Sequence, residues 1–153
     1  MRTDAARLIL LVLSLFLNGC RTVPPVAINL AEPGWTVHEG QALWRAKTGA
    51  IPVVTELLAA SHRDGRSWLQ VSKAGLPFFS GLTSSNRWQI QLHTENRHHS
   101  AQGRPPVRLG WLQLAENLAG RPLAEGWRMT ATDQGWRLES SVSGEQIEGF
   151  LIP

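Results

Sequence analysis

Trp88-Gln89-Ile90-Gln91-Leu92-His93 decides the fold class. Apolar and polar residues alternate, so Trp88, Ile90 and Leu92 share one face and Gln89, Gln91 and His93 the other, the period of a half-buried strand. Working outward, Ser67–Lys73 has the same character: Leu69 and Val71 oppose Gln70 and Ser72, with Trp68 on the polar face. Asp64-Gly65 separates that run from Val53–Ser61, and an Asp-Gly pair between two strand patterns marks a hairpin. Further strands are predicted over Val37–Lys47, Leu76–Thr83, Arg97–Gln102, Trp127–Thr132, Trp136–Ser141 and Gln146–Leu151. Asp133-Gln134-Gly135 and Ser143-Gly144 supply turns between the last three.

One stretch breaks the two-residue period. Trp111, Leu114, Ala115 and Leu118 follow the i, i+3, i+4, i+7 spacing of an amphipathic helix, predicted over Leu109–Ala119. Pro105-Pro106 precedes it; Gly120 ends it, followed by Arg121-Pro122. Gly110 weakens its first turn. The pattern is therefore mainly β with one principal helix. Gly-Trp recurs at Gly34, Gly110, Gly126 and Gly135, but at irregular intervals, so the chain is not a repeat array.

Composition narrows the setting. Cys20 is the only cysteine, so no disulfide forms within the chain and stability comes from packing. Seven Trp and no Tyr, all seven after Cys20, predict a core built around indoles. Arg2 and Arg7 stand at the amino end, followed by an apolar run from Leu8 to Leu17 and the small residue Gly19, the parts of a secretory signal. As a helix, a run this short covers roughly half of a ~30 Å hydrocarbon core, and Pro24-Pro25 stops its continuation. A signal cut elsewhere would leave Cys20 as a free thiol, a liability in an oxidising compartment.

Leu17-Asn18-Gly19-Cys20 resembles the lipobox of bacterial lipoproteins. The resemblance implies that residues 1–19 are a leader that is removed, that the Cys20 thiol receives a diacylglyceryl group, and that the new amino end is acylated. Residues 20–33, with Pro24, Pro25 and Pro33, then read as a lipidated tether holding a domain, residues 34–153, off the membrane. Arg21 follows Cys20 where an Asp would resemble an inner-membrane retention signal, which implies an outer-membrane address facing the periplasm.

Other chemistries find little support. The formal charge is +3, and it falls when Arg2, Arg7 and Asp4 leave with the leader. The remaining Lys and Arg are scattered among Glu without a basic stripe, so no nucleic-acid partner is expected. His98-His99 is the only close histidine pair, and neighbours on a strand face opposite ways. His38, His62 and His93 lie far apart in sequence, so no metal is expected. There is no Gly-x-Ser-x-Gly elbow and no phosphate-cradling Gly and Lys pattern. Glu145 and Glu148 fall on opposite strand faces and read as a solvated edge rather than an acid and base pair. Neither catalysis nor a cofactor is expected.

The order of elements from Trp35 to Pro153 resembles the LolA/LolB lipoprotein-carrier superfamily. The resemblance rests on the opening strand Gly40-Gln41-Ala42-Leu43-Trp44, the Asp64-Gly65 hairpin, the Trp88–His93 strand and the Leu109–Ala119 helix. Three closing strands follow, the last through Gly144-Glu145-Gln146-Ile147-Glu148-Gly149. It implies a curved antiparallel sheet, an open half barrel, covered by a helix, with acyl chains held between. A lipid-anchored member is similar to the LolB side, which receives lipoproteins at the outer membrane, here with its lid reduced to one helix. The implied partners are the membrane, through the amino-terminal acyl chains, a lipoprotein or lipid ligand, and a periplasmic carrier protein; a monomer is expected. In such a cavity Trp88, Ile90 and Leu92 share the sheet wall, and Trp111, Leu114 and Leu118 form the cover. Leu76, Phe78 and Phe79 form the rim, since Pro77 makes that strand irregular near its start. Two readings stay open. Phe78 and Phe79 also suit plain core packing. A core filled by Trp would instead define a structural or assembly lipoprotein that presents a surface to an envelope protein partner.

Overall fold

The structure, a computed structural model, describes residues 28–152. The leader, Cys20 and most of the tether lie outside the described residues. Nine strands form one antiparallel sheet: β1 (Trp35–Arg45), β2 (Val53–His62), β3 (Ser67–Lys73), β4 (Leu76–Thr83), β5 (Arg87–Leu92), β6 (Arg97–Gln102), β7 (Trp127–Thr132), β8 (Gly135–Ser140) and β9 (Gln146–Ile152). Among the described residues there is a single α-helix, α1 (Gly110–Leu118), which joins β6 to β7. A 3₁₀ turn, His93–Glu95, joins β5 to β6.

The strand order is β6-β5-β4-β3-β2-β1-β9-β8-β7. Every neighbouring pair is consecutive in sequence except β1 with β9. Two up-and-down meanders, β1 to β6 and β7 to β9, therefore meet at one seam, where Glu39 pairs with Ile152 and Arg45 with Gln146. The sheet is curved and does not close, leaving β6 and β7 as its edges. At the seam the two backbones press together through glycine. A Cβ on Gly40 would fall 2.0 Å from the Phe150 carbonyl oxygen, and one on Gly149 would fall 2.3 Å from that of Gln41. Glycine at such positions lets a sheet bend.

Alternation sorts the side chains by face as the sequence predicts, although Gln89, on the polar face, is buried while Trp88 and Leu92 are half-buried. Thr83 pairs with Trp88, Gly81 with Ile90 and Phe79 with Leu92, so the apolar face of β5 continues across β4. Leu69 pairs with Gly81 and with Ala59, carrying that face on through β3 and β2. This is the concave side, and α1 lies on it against β3, β4 and β8. The largest fully buried side chains include Leu69, Leu112, Leu114, Leu138 and Ile147. The indoles are arranged differently from the sequence expectation. Trp111 and Trp127 are buried, Trp44, Trp88 and Trp136 are half-buried around the core, and Trp35 and Trp68 are not part of it. Slim aliphatic side chains fill the helix–sheet contact, where Gly81 leaves room for Leu112: a Cβ there would sit 2.5 Å from its methyl.

Candidate functional site on the concave face

The sequence stripe makes α1 a half-exposed lid, but the helix is more deeply set. Gly110 to Glu116 are all buried, including Leu112, Gln113 and Glu116, which lie off the predicted stripe. A helix buried on all sides must satisfy its polar groups internally; Gln113 and Glu116 find partners, whereas the Trp111 indole N–H is buried without one. Gln113 accepts from the Ala124 N–H at 3.1 Å and donates to the Pro106 carbonyl at 3.4 Å. It thereby ties the chain entering the helix to the chain leaving it. Ser67 donates its hydroxyl to the Ala115 carbonyl at 2.7 Å.

The two ends are fastened from outside the helix. Leu109, at the N-cap position, offers no side-chain cap. Glu145, in the connection before β9, fills that role: its carboxylate accepts the Gly110 N–H and the Trp44 indole N–H at 2.8 Å. A carboxylate at a helix N-terminus suits the helix dipole, yet burial outweighs these donors and pushes the Glu145 carboxyl above its ordinary range. At the other end Arg121 reaches back with Nη2 to Glu116 Oε1 at 2.7 Å and to the Thr83 hydroxyl. Its Nη1 donates to the Gly65 carbonyl. One guanidinium thus clamps the end of α1 to the β2–β3 turn and to β4.

The residues expected to line a cavity fall in three places. Ile90, Trp111 and Leu114 are buried in the packed core, with Trp88, Leu92 and Leu118 half-buried against it. Phe79 is buried among them. Phe78 is brought to the same side by a bulge: Val71 pairs with Phe79 but Ser72 pairs with Pro77, which leaves Phe78 as the extra residue of β4. Its ring stacks on Trp44 at 6.3 Å. Leu76, by contrast, is 74% exposed at the tip of the β3–β4 turn.

An open hollow of about 320 Å³ lies beside the C-terminal end of α1, lined by His38, Ala59, Ala60, Ser61, Leu118 and Leu151. Leu118 is the one expected cavity residue that reaches it. The helix is short and packs over β3, β4 and β8, so the start of β1 and the end of β9 are left beyond its last turn. A larger hollow of about 590 Å³ lies near the β8–β9 turn, lined in part by Arg128, Glu139, Ser140 and Glu145. Its polar groups are already committed. Arg128 pairs with Glu139, and the Ser140 hydroxyl accepts the Val142 and Ser143 N–H groups at 3.3 and 3.1 Å. It reads as the outside of a braced turn.

Among the described residues no cluster of three or more His, Cys, Asp or Glu is arranged to hold a metal ion, and no helix is long and apolar enough to cross a membrane. Comparison with protein-family models, with curated proteins and with solved structures gave no match.

Sequence reasoning missed Glu145, Arg121, Leu112 and the wall formed by His38, Ala59 and Leu151. Glu148 is solvated as expected, pairing with Arg137 at 2.9 Å, but on an inner strand rather than an edge. The solvated-edge reading fails for Glu145, because that residue precedes β9 and turns under the helix. The available signal was the helix itself: it begins without Ser, Thr, Asp or Asn at its cap, so a distant acceptor was required.

Proposed function

We propose that this chain is a lipid-anchored protein of the outer membrane, facing the periplasm, that holds acyl chains on its concave face as an acceptor of lipoproteins or in related lipid handling. The observation that carries the reading is the hollow of about 320 Å³ beside Leu118, on the face where an open half barrel offers apolar surface. Its size is at the lower end of ligand pockets. Leu118, Leu151, Ala59 and Ala60 give it an apolar lining, with His38 and Ser61 as its polar groups. At about 0.8 kcal/mol per buried methylene, a chain seating roughly eight of them gains about 6 kcal/mol. Such binding is weak and exchangeable, suited to passing a lipid on rather than storing it.

The test is binding of a fluorescent fatty acid to the full chain carrying Cys20→Ser, which removes the anchoring thiol. Leu118→Glu should abolish binding and Leu118→Met should keep it, both with the near-ultraviolet spectrum of the parent. A folded Leu118→Glu protein that binds like the parent overturns the reading. The anchor is tested separately: Cys20→Ser should leave the membrane fraction, and the parent should band with the outer membrane on density separation. The second reading, a structural or assembly lipoprotein with a solid core, is favoured by the complete burial of Leu112, Leu114 and Ala115 beneath the helix. Mass spectrometry of lipids retained after gentle purification separates the two, since a solid core retains none.

A further inference from the structure

The opposite side of the sheet carries its own feature, independent of whether the concave hollow takes lipid. Where one face of an antiparallel sheet is solvated, outward positions are ordinarily polar. On β2, β1 and β9 the outward positions include Val37, Leu43, Val54, Phe150 and Ile152, each between 38% and 62% exposed. These strands lie in the middle of the sheet. Register makes the residues contiguous: Leu43 pairs with Val54, Gln41 with Phe150 and Glu39 with Ile152. Two hollows flank Phe150. One of about 470 Å³ is walled in part by Glu39, Glu56, Leu58 and Ile152. The other, of about 320 Å³, is walled in part by Leu43, Val54 and Glu148.

We infer that this convex face docks a segment of a partner protein that combines apolar side chains with Lys or Arg. The charges select the partner. Every charged residue lining the two hollows is acidic: Glu39, Glu56 and Glu148. Glu148 is matched by Arg137, whereas Glu39 and Glu56 make no ion pair among the described residues. A second copy seated face to face would bring like carboxylates together, and an anionic lipid surface would be repelled; both arrangements are disfavoured by charge. A cationic segment gains the complementary potential, and its apolar side chains have the hollows beside Phe150 to enter, which is how interface anchors are seated.

The experiment uses the full chain carrying Cys20→Ser and two labelled 14-residue amphipathic peptides, one of Leu and Lys, the other with Glu in place of each Lys. Fluorescence anisotropy should show the Leu/Lys peptide binding at least tenfold tighter. The double variant Glu39→Lys, Glu56→Lys should reverse that preference. Phe150→Ser should weaken Leu/Lys binding at least tenfold, and Leu43→Gln serves as a second probe of the apolar patch; all four positions are exposed, and a parental near-ultraviolet spectrum verifies each fold. Equal binding of both peptides, a charge reversal without effect, or binding that survives both Phe150→Ser and Leu43→Gln overturns the proposal. So does concentration-dependent dimerisation that Phe150→Ser abolishes, which would assign the face to a second copy. Binding to anionic vesicles that tracks Phe150 while the Leu/Lys peptide stays unbound would assign it to lipid and equally overturn it.

Discussion

The two ends of α1 meet the sheet in different ways. At the N-terminal end, Trp111 lies against Trp44, with ring centres 5.9 Å apart; Trp44 donates to Glu145, and Glu145 holds the first helical N–H. Aromatic bulk and a buried carboxylate pack that end tightly, so that a Cβ on Gly110 would fall 2.7 Å from Glu145 and 2.8 Å from Trp127. At the C-terminal end the fastening is polar and off to one side, through Arg121 to Glu116, Thr83 and Gly65, and Leu118 borders open space. A single short helix can seal a curved sheet over part of its width only. Where it stops, the same apolar face that builds the core becomes a surface another molecule can use.

The sharpest way to break this contrast is to place the same charge in the packed middle of the helix and at its open end. Leu114→Glu buries a lone carboxylate in the packed core and removes a fully buried leucine, so it should cost about 4 kcal/mol or more. Leu118→Glu, at the open end, should cost less than half of that while removing acyl binding. Chemical denaturation of both reads the difference; equal losses would mean that the middle of the helix and its open end are packed alike.

Arg121→Ala comes next. It strands the buried Glu116 carboxylate, and breaking one side of a buried pair costs about 3 kcal/mol. The double variant Arg121→Met, Glu116→Gln should recover most of the loss. If the double variant is no more stable than Arg121→Ala, the clamp is not an ion pair with Glu116.

The smallest effects are in the pH profile. Burial raises the Glu145 carboxyl above its ordinary 4.5, so the folded state holds its proton longer than the unfolded chain. This contribution makes stability fall as pH rises through the interval from 4.5 to the raised value. Glu145→Gln keeps the acceptor for Trp44 and Gly110 but cannot ionise, and should flatten the slope there. Asp64 works with the opposite sign. The Arg66 N–H holds it near 2, with help from His62 and the Arg66 side chain, so its contribution is present above the ordinary 3.8 and disappears as pH falls toward 2. Asp64→Asn should remove that acid-side slope only. Thermal melts across pH 2 to 8 separate the two residues.

Strand positions were legible because a two-residue alternation survives any tertiary setting. The Trp88–Leu92 face and the Asp64-Gly65 turn needed nothing beyond local pattern, and the helix ended where Gly120 and Pro122 said it should. The depth of the helix was not legible. Leu112 is off the apolar stripe and is buried all the same, because it points into the sheet against Gly81; the segments before and after α1 add Leu109, Leu123 and Ala124 to the core, and Trp127 donates to the Val107 carbonyl at 2.6 Å. Those contacts are irregular and leave no period. The same limit applies to the hollow. His38 and Ala59 are partners in the β1–β2 pairing, but Leu151 joins them only through the β1–β9 seam, which no local pattern encodes.

That seam has a kinetic consequence. Each meander grows by hairpins whose partners are near in sequence, so its loops close quickly. The seam joins residues as distant as Glu39 and Ile152, and pairings of long sequence separation slow folding. Both the core and the helix cap at Glu145 wait on this one event. The expected rate-limiting step is therefore zipping β9 onto β1, and until it occurs the chain is two unfinished sheets with apolar faces uncovered. During that interval the uncovered apolar faces are most exposed to aggregation.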